Sequence, residues 1–356
     1  MRWSLILLLA IGGLGACLGA ALANQNQDPT KNEQDPPLVR INPAIPKDKV
    51  LPLKAQRVPK NFGERAFLHV NNLVAFGPRY SGQPGWSKQL DYIDAELKKH
   101  GLKPKRDTWT DRRELMTFTN ISAVIPGKRK ERILLACHHD TKCTTGHPDK
   151  KHNFHFVGAN DGASAVALLL QLVPTLQKRT NEATIELVFF DGEESLDWKW
   201  NDAARALFGS KRYLKKHRDA LMLGTEPRIE AMVLLDMVGR KDLHIQEELY
   251  STKLMRQICW SAAVATGSKE QFYVRGEAAA DDHKPFLDVG IPAVDLIDLN
   301  GNPTWHTPYD TVENMAPESI QKVADVVLTM LPAIEQAYFT KANVDKDGAP
   351  EPGAPK

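Results

Sequence analysis

The sequence predicts an α/β fold: a single domain with a mostly parallel central sheet, an antiparallel edge hairpin and helices on both faces. Three observations predict it. Short apolar runs of strand length alternate with longer segments whose apolar residues recur at helical spacing. The short runs are continuous in Val, Ile, Leu and Phe, as strands covered on both faces are. Two neighbouring runs are split by Pro126-Gly127-Lys128, a hairpin signal. The 356 residues, 42% hydrophobic and 25% charged, have the length of one large domain or two ordinary ones and an ordinary globular composition.

From Asn61 to Phe76, residues Phe62, Ala66, Val70, Leu73 and Val74 fall on one helical face, and Gly77-Pro78 stops the run. A second amphipathic helix runs from Trp86 to His100 and closes at Gly101. Thr117 to Ile125 and Arg132 to Ala136 form the expected hairpin. Ala163 to Leu176 reads as a mostly apolar helix, Ile185 to Phe190 as a buried strand, Ala203 to His217 as a helix and Ala231 to Leu235 as another buried strand. Helices follow over Ser251–Thr266 and Pro317–Tyr338, with the short strand Val294–Ile297 between them.

The ends differ in character. Arg2 precedes an apolar run from Leu5 to Leu22, and Ala21-Leu22-Ala23 has the small-x-small pattern of a cleaved signal over residues 1–23. Leu14-Gly15-Ala16-Cys17 also resembles a bacterial lipoprotein signal with Cys17 as the lipidated residue, and an uncleaved anchor is a third reading. All three imply export: secreted, periplasmic or lipid-anchored at the cell envelope. Residues 24–59 read as a polar, Pro-rich linker on the domain surface, 60–340 as the folded domain and 341–356 as a disordered tail rich in Gly and Pro. A net charge of +2 gives no ground for nucleic-acid binding, and Lys128-Arg129-Lys130 reads as a solvated turn. The four cysteines lack any CxxC pairing, so they indicate neither a thiolate metal site nor a disulfide framework. Cys137 and Cys143 are close enough in sequence to bridge, although Cys137, inside an apolar run, reads as a small buried hydrophobe.

Sites in open α/β sheets form beyond the carboxyl ends of the strands. Here the run Ile133–Cys137 ends in His138-His139-Asp140, and Ile185–Phe190 ends in Asp191-Gly192-Glu193-Glu194. Ala231–Leu235 ends in Asp236, Val294–Ile297 leads through a loop to Trp305-His306, and Asn160-Asp161-Gly162 opens a helix. Each piece alone has a plain structural reading. Asp161 suits a helix N-cap, Glu193-Glu194 an acidic first helical turn, and His306 a surface loop. Together they concentrate carboxylates and imidazoles on one rim, and adjacent buried carboxylates repel unless a cation lies between them. Three ligands of Asp, Glu and His type leave a zinc position open, the catalytic form of such a site.

These residues carry a resemblance. His138-x-Asp140, Asn160-Asp161-Gly162, Asp191-Gly192-Glu193-Glu194, Leu235-Asp236 and Trp305-His306-Thr307 occur in the order found in the superfamily of zinc aminopeptidases and animal-type glutaminyl-peptide cyclotransferases. Gly77-Pro78-Arg79 and Asp281-Asp282-His283-x-Pro285-Phe286 match it as well, so the resemblance spans roughly residues 60 to 340. It implies Asp161, Glu194 and His306 as zinc ligands and Glu193 as general acid/base. In the aminopeptidases a second zinc is bridged by the Asp161 position and completed by those of His138 and Asp236. The cyclases keep these residues with one metal, so the cofactor expected is one zinc for a cyclase and two for a peptidase. The resemblance further implies that Asp140 orients His138, that Asp281 hydrogen-bonds with Glu193, and that Asp236 hydrogen-bonds with Asp281. Glu193, Asp236 and Asp281 are thus the catalytic carboxylates.

Cyclisation is favoured by two features. Trp305 directly precedes the ligand His306, as in cyclases, where that indole walls the substrate pocket. Trp198, with Trp200 close by, follows the Glu pair at nearly the cyclase spacing, and Phe208-Gly209-Ser210-Lys211-Arg212-Tyr213-Leu214 resembles the helix that follows there. These tryptophans also suit a core or an interface, and Trp198 and Trp200 are not distinguished by spacing. Against the match, Asp295 stands where animal cyclases have a histidine, Gly301 where they have a pocket phenylalanine, and Val166 where they have the disulfide partner of the Cys137 position. The activity expected is conversion of N-terminal glutamine of peptides or proteins to pyroglutamate with release of ammonia. The alternative is a zinc aminopeptidase, and the third reading is a non-catalytic binding module on the same fold. Other expectations are a monomer, peptide N-termini as the partner, and membrane anchoring only through the N-terminus. The insert between His139 and Asn160, with His147, His152 and His155, reads as a solvated loop.

Overall fold

The computed structural model describes residues 43–198 and 203–339. The signal and tail expectations, and Trp200, lie outside them. Two helices open the domain, α1 (Phe62–Val74) and α2 (Pro84–Lys99). Strands β1 (Lys105–Thr110), β2 (Thr117–Ile125) and β3 (Arg132–His138) follow, then helix α3 (Ala163–Lys178) and strand β4 (Thr184–Phe190). Helix α4 (Phe208–Met222), strands β5 (Ile229–Asp236) and β6 (Ile245–Glu248), helix α5 (Lys253–Ala265) and strand β7 (Phe272–Glu277) come next. The chain closes with α6 (Lys284–Asp288), β8 (Ala293–Ile297) and α7 (Pro317–Phe339).

Six strands form the main sheet in the order β1-β2-β4-β3-β5-β8. β3, β4, β5 and β8 are mutually parallel, and β2 runs antiparallel to both β1 and β4. One face carries the larger core, with Leu73, Leu97, Leu169, Val173, Ile258 and Val327 from α1, α2, α3, α5 and α7. The other carries Leu134, Phe190, Leu214, Met232 and Phe286, covered by α4 and α6. Cys137 is fully buried in the larger core, and Cys137, Cys143 and Cys259 are free thiols.

The expected hairpin is corrected. β2 and β3 are not neighbours, because β4 lies between them, antiparallel to β2 from Ile121 opposite Phe189 to Ile125 opposite Ile185. After Pro126 the chain crosses the start of β4: Gly127 donates to Thr184 Oγ1, Lys128 to the Asn181 carbonyl and Arg129 to the Glu182 carbonyl. A Cβ on Gly127 would lie 2.1 Å from the Ala183 carbonyl oxygen, so this glycine serves a close crossing rather than a tight turn. The real edge hairpin joins β2 to β1, whose sequence Lys-Arg-Asp-Thr-Trp-Thr has no fully buried residue. The helix expected from Ala203 is a 3-10 turn over Ala203–Arg205 followed by α4, and Leu207 between them takes a left-handed φ of 56°.

The part of the linker that is described, residues 43–59, is fastened down rather than merely lying on the surface. Ile45 and Val58 are buried. The Ile45 amide and the Arg256 guanidinium both donate to Glu247 Oε1, at 2.7 Å each, and Arg256 also reaches the Pro43 carbonyl. Farther along, the Val58 amide and Arg57 share the Asp325 carboxylate. Arg256 and Glu247 are both essentially inaccessible to solvent. Breaking a buried pair from one side strands a charge, at a cost of about 3–5 kcal/mol. Glu247→Leu is therefore expected to lower unfolding free energy by roughly that much in urea titration, and the Glu247→Leu, Arg256→Met double variant by distinctly less.

Candidate metal centre

The parallel strands deliver their last residues to one rim. β3 ends on His138, β4 on Phe190 before Asp191-Gly192-Glu193-Glu194, and β5 on Asp236. Gly192 sits at φ 68°, and a Cβ there would lie 2.6 Å from the Phe118 ring, so only glycine allows the strand to turn out into the Glu pair. Asp161 stands just ahead of α3, and His306 holds a left-handed φ of 51°, an uncommon conformation for a non-glycine residue.

Two groups of ligand atoms result, and they share Asp161: Asp161, Glu194 and His306 form one, His138, Asp161 and Asp236 the other. His306 Nε2 lies 3.1 Å from Glu194 Oε1 and 3.4 Å from Asp161 Oδ2. His138 Nε2 lies 3.0 Å from Asp236 Oδ1 and 3.3 Å from Asp161 Oδ1. Ligands about 2.0–2.2 Å from a tetrahedral zinc are about 3.3–3.6 Å from one another, so the spacing fits that ion. Among the described residues the buried Asp161 Oδ2 accepts no hydrogen bond, although it is a strong acceptor. An acceptor left in this condition suits a cation.

The titration of the groups reflects the crowding. Burial alone would lower the His306 imidazole, yet Glu194 and Asp161 hold it up to about 9. Burial opposes ionisation of Asp161, but His138 and His306 bring it well below the usual carboxylate range. Burial lifts Asp236 to about 7 against the pull of His138. The Glu193 carboxyl is pushed well above its ordinary value, first by burial and then by the charge of Asp281.

Two expected contacts take another form. Asp140 Oδ1 is 3.7 Å from His138 Nδ1, too long for a hydrogen bond. Its carboxylate oxygens accept instead from the Glu193 and Glu194 amides, at 3.1 and 3.3 Å, and so fix the turn that presents the Glu pair. Asp281 acts on Glu193 and Asp236 through its charge, and its Oδ1 accepts from the Asp282 amide. Asp295, the residue standing in place of a histidine, is a buried carboxyl raised first by burial and then by the charge of Asp281, with His283 Nδ1 3.8 Å from its Oδ2.

A cavity of about 360 Å³ opens onto the Asp161, Glu194 and His306 group, and Glu193, Asp236 and Asp281 line it. Its apolar walls include Trp198, Trp305, Ile297 and Leu299. Trp305 stacks on His306 at 4.4 Å, and Trp198 meets the same imidazole edge-on at 5.5 Å. Trp198 is the tryptophan placed in the wall.

Three supporting residues were not picked out by spacing. Arg79, fully buried, donates to the Val157 and Gly158 carbonyls just before Asp161. Its place in Gly77-Pro78-Arg79 was the available signal. Asp310 accepts from the Asn160 and Asp161 amides at 2.7 and 3.0 Å. Lys142, almost wholly buried, donates to the Ser195 carbonyl and lies 3.3 Å from Glu194 Oε2. Nothing in local sequence separates Asp310 or Lys142 from surface charges.

A parallel sheet covered on both sides, with imidazole and carboxylate ligands gathered at its carboxyl rim, defines a metal-dependent α/β enzyme centre. The model of peptidase family M28 matches residues 120–331, and the chain belongs to that family. The glutaminyl-peptide cyclotransferase of Drosophila melanogaster is 27% identical over 308 residues, covering 72% of this chain and 83% of that one. The crystal structure of Acidobacteriales bacterium glutaminyl cyclase superposes with a TM-score of 0.70 at 30% identity, covering 81% of this chain and 99% of the other. A Zn-dependent exopeptidase from Parabacteroides distasonis superposes with a TM-score of 0.68 at 26% identity, over 80% and 100% of the two chains. The resemblance drawn from motifs is therefore met in both its branches.

Asp310→Ala removes the acceptor that fixes the Asp161 loop. Loss of such an outer support weakens metal binding about 10–100-fold. Titration of the metal-free protein with zinc against a competing chelator is expected to show a weakening of that order.

Proposed function

We propose that this chain is a zinc-dependent glutaminyl-peptide cyclotransferase, with Asp161, Glu194 and His306 holding the ion and Glu193 as general acid/base. The observation that carries the reading is the joint opening of the ligand group and the Glu193 carboxyl into one cavity walled by Trp198 and Trp305. The similarity to glutaminyl cyclases from animals and bacteria supports it.

The chemistry a zinc ion supplies in such a site is Lewis-acid polarisation of an amide carbonyl. The α-amine of an N-terminal glutamine attacks its own side-chain amide carbon, forming the ring C–N bond. Glu193 accepts the proton lost by the amine and returns one to the departing nitrogen, so the amide C–N bond breaks and ammonia leaves. Proton count and charge balance, and no water is consumed. The apolar walls hold the folded-back side chain and exclude water, which favours ring closure over hydrolysis. Asp281 lies beside Glu193 and keeps it protonated to higher pH than burial alone. Asp236 also lines the cavity, with His138 Nε2 3.0 Å from its Oδ1.

A second reading has its own observation. The His138, Asp161 and Asp236 group is assembled and ready for a second ion, as a two-zinc aminopeptidase requires. There Glu193 activates water against the first peptide bond instead. We also propose export of the chain, on the strength of the N-terminal apolar run.

A glutaminyl peptide incubated with the protein is expected to lose about 17 mass units, one ammonia by stoichiometry, with no shortening. Release of free amino acids without that loss supports the peptidase and contradicts the proposal. Glu193→Gln is expected to abolish turnover while zinc stays bound. The pH dependence has a definite sign. Glu193 must be ionised to accept the amine proton, so kcat/KM falls as pH drops through its raised pKa. Asp281→Asn removes one cause of the raising, and the acid limb is expected to move to lower pH in a full pH profile.

A further inference from the structure

The insert between His139 and Asn160 is exposed along much of its length, His155 included, but Phe156 is buried and His147, His152 and Phe154 are partly buried. It is closed by its own side chains. Thr144 Oγ1 donates to the Phe154 carbonyl at 2.7 Å, the Gly146 amide to Asn153 Oδ1 at 3.0 Å, and the Lys151 amide to Asp149 Oδ1 at 2.9 Å. The last contact caps a 3-10 turn over Lys150–His152 and fixes where His152 points. Its imidazole lies on the Trp198 indole with ring centroids 3.9 Å apart and planes 1° from parallel. His147 and Phe154 meet the same indole edge-on at 6.0 and 6.1 Å. Phe156, from the same loop, packs edge-on against His306. The loop therefore packs against one wall of the cavity and against the His306 imidazole.

Trp198 needs such a grip. Its half-buried indole hydrogen-bonds to no described residue through Nε1, so ring contacts, with the Lys142 ammonium 5.4 Å from the indole centroid, are what orient it. A flat ring pair at this distance is worth enough to choose among rotamers of an indole.

We propose that His152 is a positioning residue for the substrate pocket, holding Trp198 flat in the cavity wall beside His306 so that the pocket is formed before a peptide arrives. The role belongs to the flat ring, not to its charge. The kinetic consequence rests on the cyclase reading above; the stacking itself does not. A wall that must be ordered on binding costs affinity and leaves the chemical step alone.

The test uses the whole protein with zinc bound. His152→Ala is expected to raise KM for a glutaminyl peptide about three- to tenfold, the cost of ordering one side chain, with kcat within about twofold of the parent. His152→Phe, which keeps a flat ring, is expected to restore KM. In proton NMR, the His152 ring resonances, assigned by their loss in His152→Phe, are expected upfield of those of exposed imidazoles and to return downfield in Trp198→Leu. Unchanged KM in His152→Ala overturns the proposal, as does a fall in kcat that Phe does not rescue. Ring resonances at the exposed position also overturn it. Absence of cyclase activity in the parent protein sinks the reading of function, and the NMR arm then still decides the stacking.

Discussion

Buried negative charge around Asp161 is the constraint on which this fold depends. Asp161, Glu193, Glu194, Asp236, Asp281, Asp282 and Asp295 are all nearly inaccessible, with Glu193-Glu194 and Asp236 at the carboxyl ends of β4 and β5. Ionised carboxylates in a low-dielectric interior cost several kcal/mol each unless neutralised. Two imidazoles, His138 and His306, lie among them and are held toward the charged form by their carboxylate neighbours. A metal cation shared by oxygen and nitrogen ligands 3.0–3.4 Å apart answers the same demand more fully.

The rest of the architecture serves this concentration. The parallel sheet aims several strand ends at one rim without needing the strands to be close in sequence. Asp140 fixes the Glu193-Glu194 turn through two amides, and Asp310 fixes the Asn160-Asp161 turn through two more. Arg79 then ties down the chain just before Asp161 and brings positive charge within the field of Asp310, Asp161 and Asp140. Asp140 and Asp310 are thus backbone clamps, and Asp281 and Asp282 are neighbours whose charge raises Glu193. Packing makes the scaffold stiff, and stiffness is what lets like charges stay close.

How much of this could be read in the sequence depends on how local the signal is. Asp161 and Glu194 were legible because each stands by a glycine turn, and His306 through the resemblance carried by Trp305-His306-Thr307. The two buried central strands and the long helices were legible from the spacing of their apolar residues. β1 was not, because an edge strand with no buried residue has no apolar run to show. The place of β4 between β2 and β3 was hidden, since Pro126-Gly127 signals a turn equally well whether the chain reverses or crosses. Asp310 and Lys142 act across the fold on groups more than fifty residues away, and no periodicity marks that. The stacking of His152 on Trp198 was invisible for the same reason, and the loop that carries it read as solvated.

The central claim is that a cation holds the carboxylate rim together, and stability against pH tests it most directly. Glu193, Asp236, Asp281, Asp282 and Asp295 have raised pKa values in the folded protein, and so do His138 and His306. These groups bind more protons in the folded chain than in the unfolded one. Burial lowers His69, His139 and His217 and so acts the other way below about pH 7. Toward pH 8 the rim's contribution to stability without metal falls as pH rises. Unfolding free energy is to be measured from pH 5.5 to 8 for zinc-loaded and chelator-stripped protein. The account predicts a stripped protein that weakens steadily toward pH 8 and a loaded protein that does not. Equal stability of the two forms at pH 8 would contradict it.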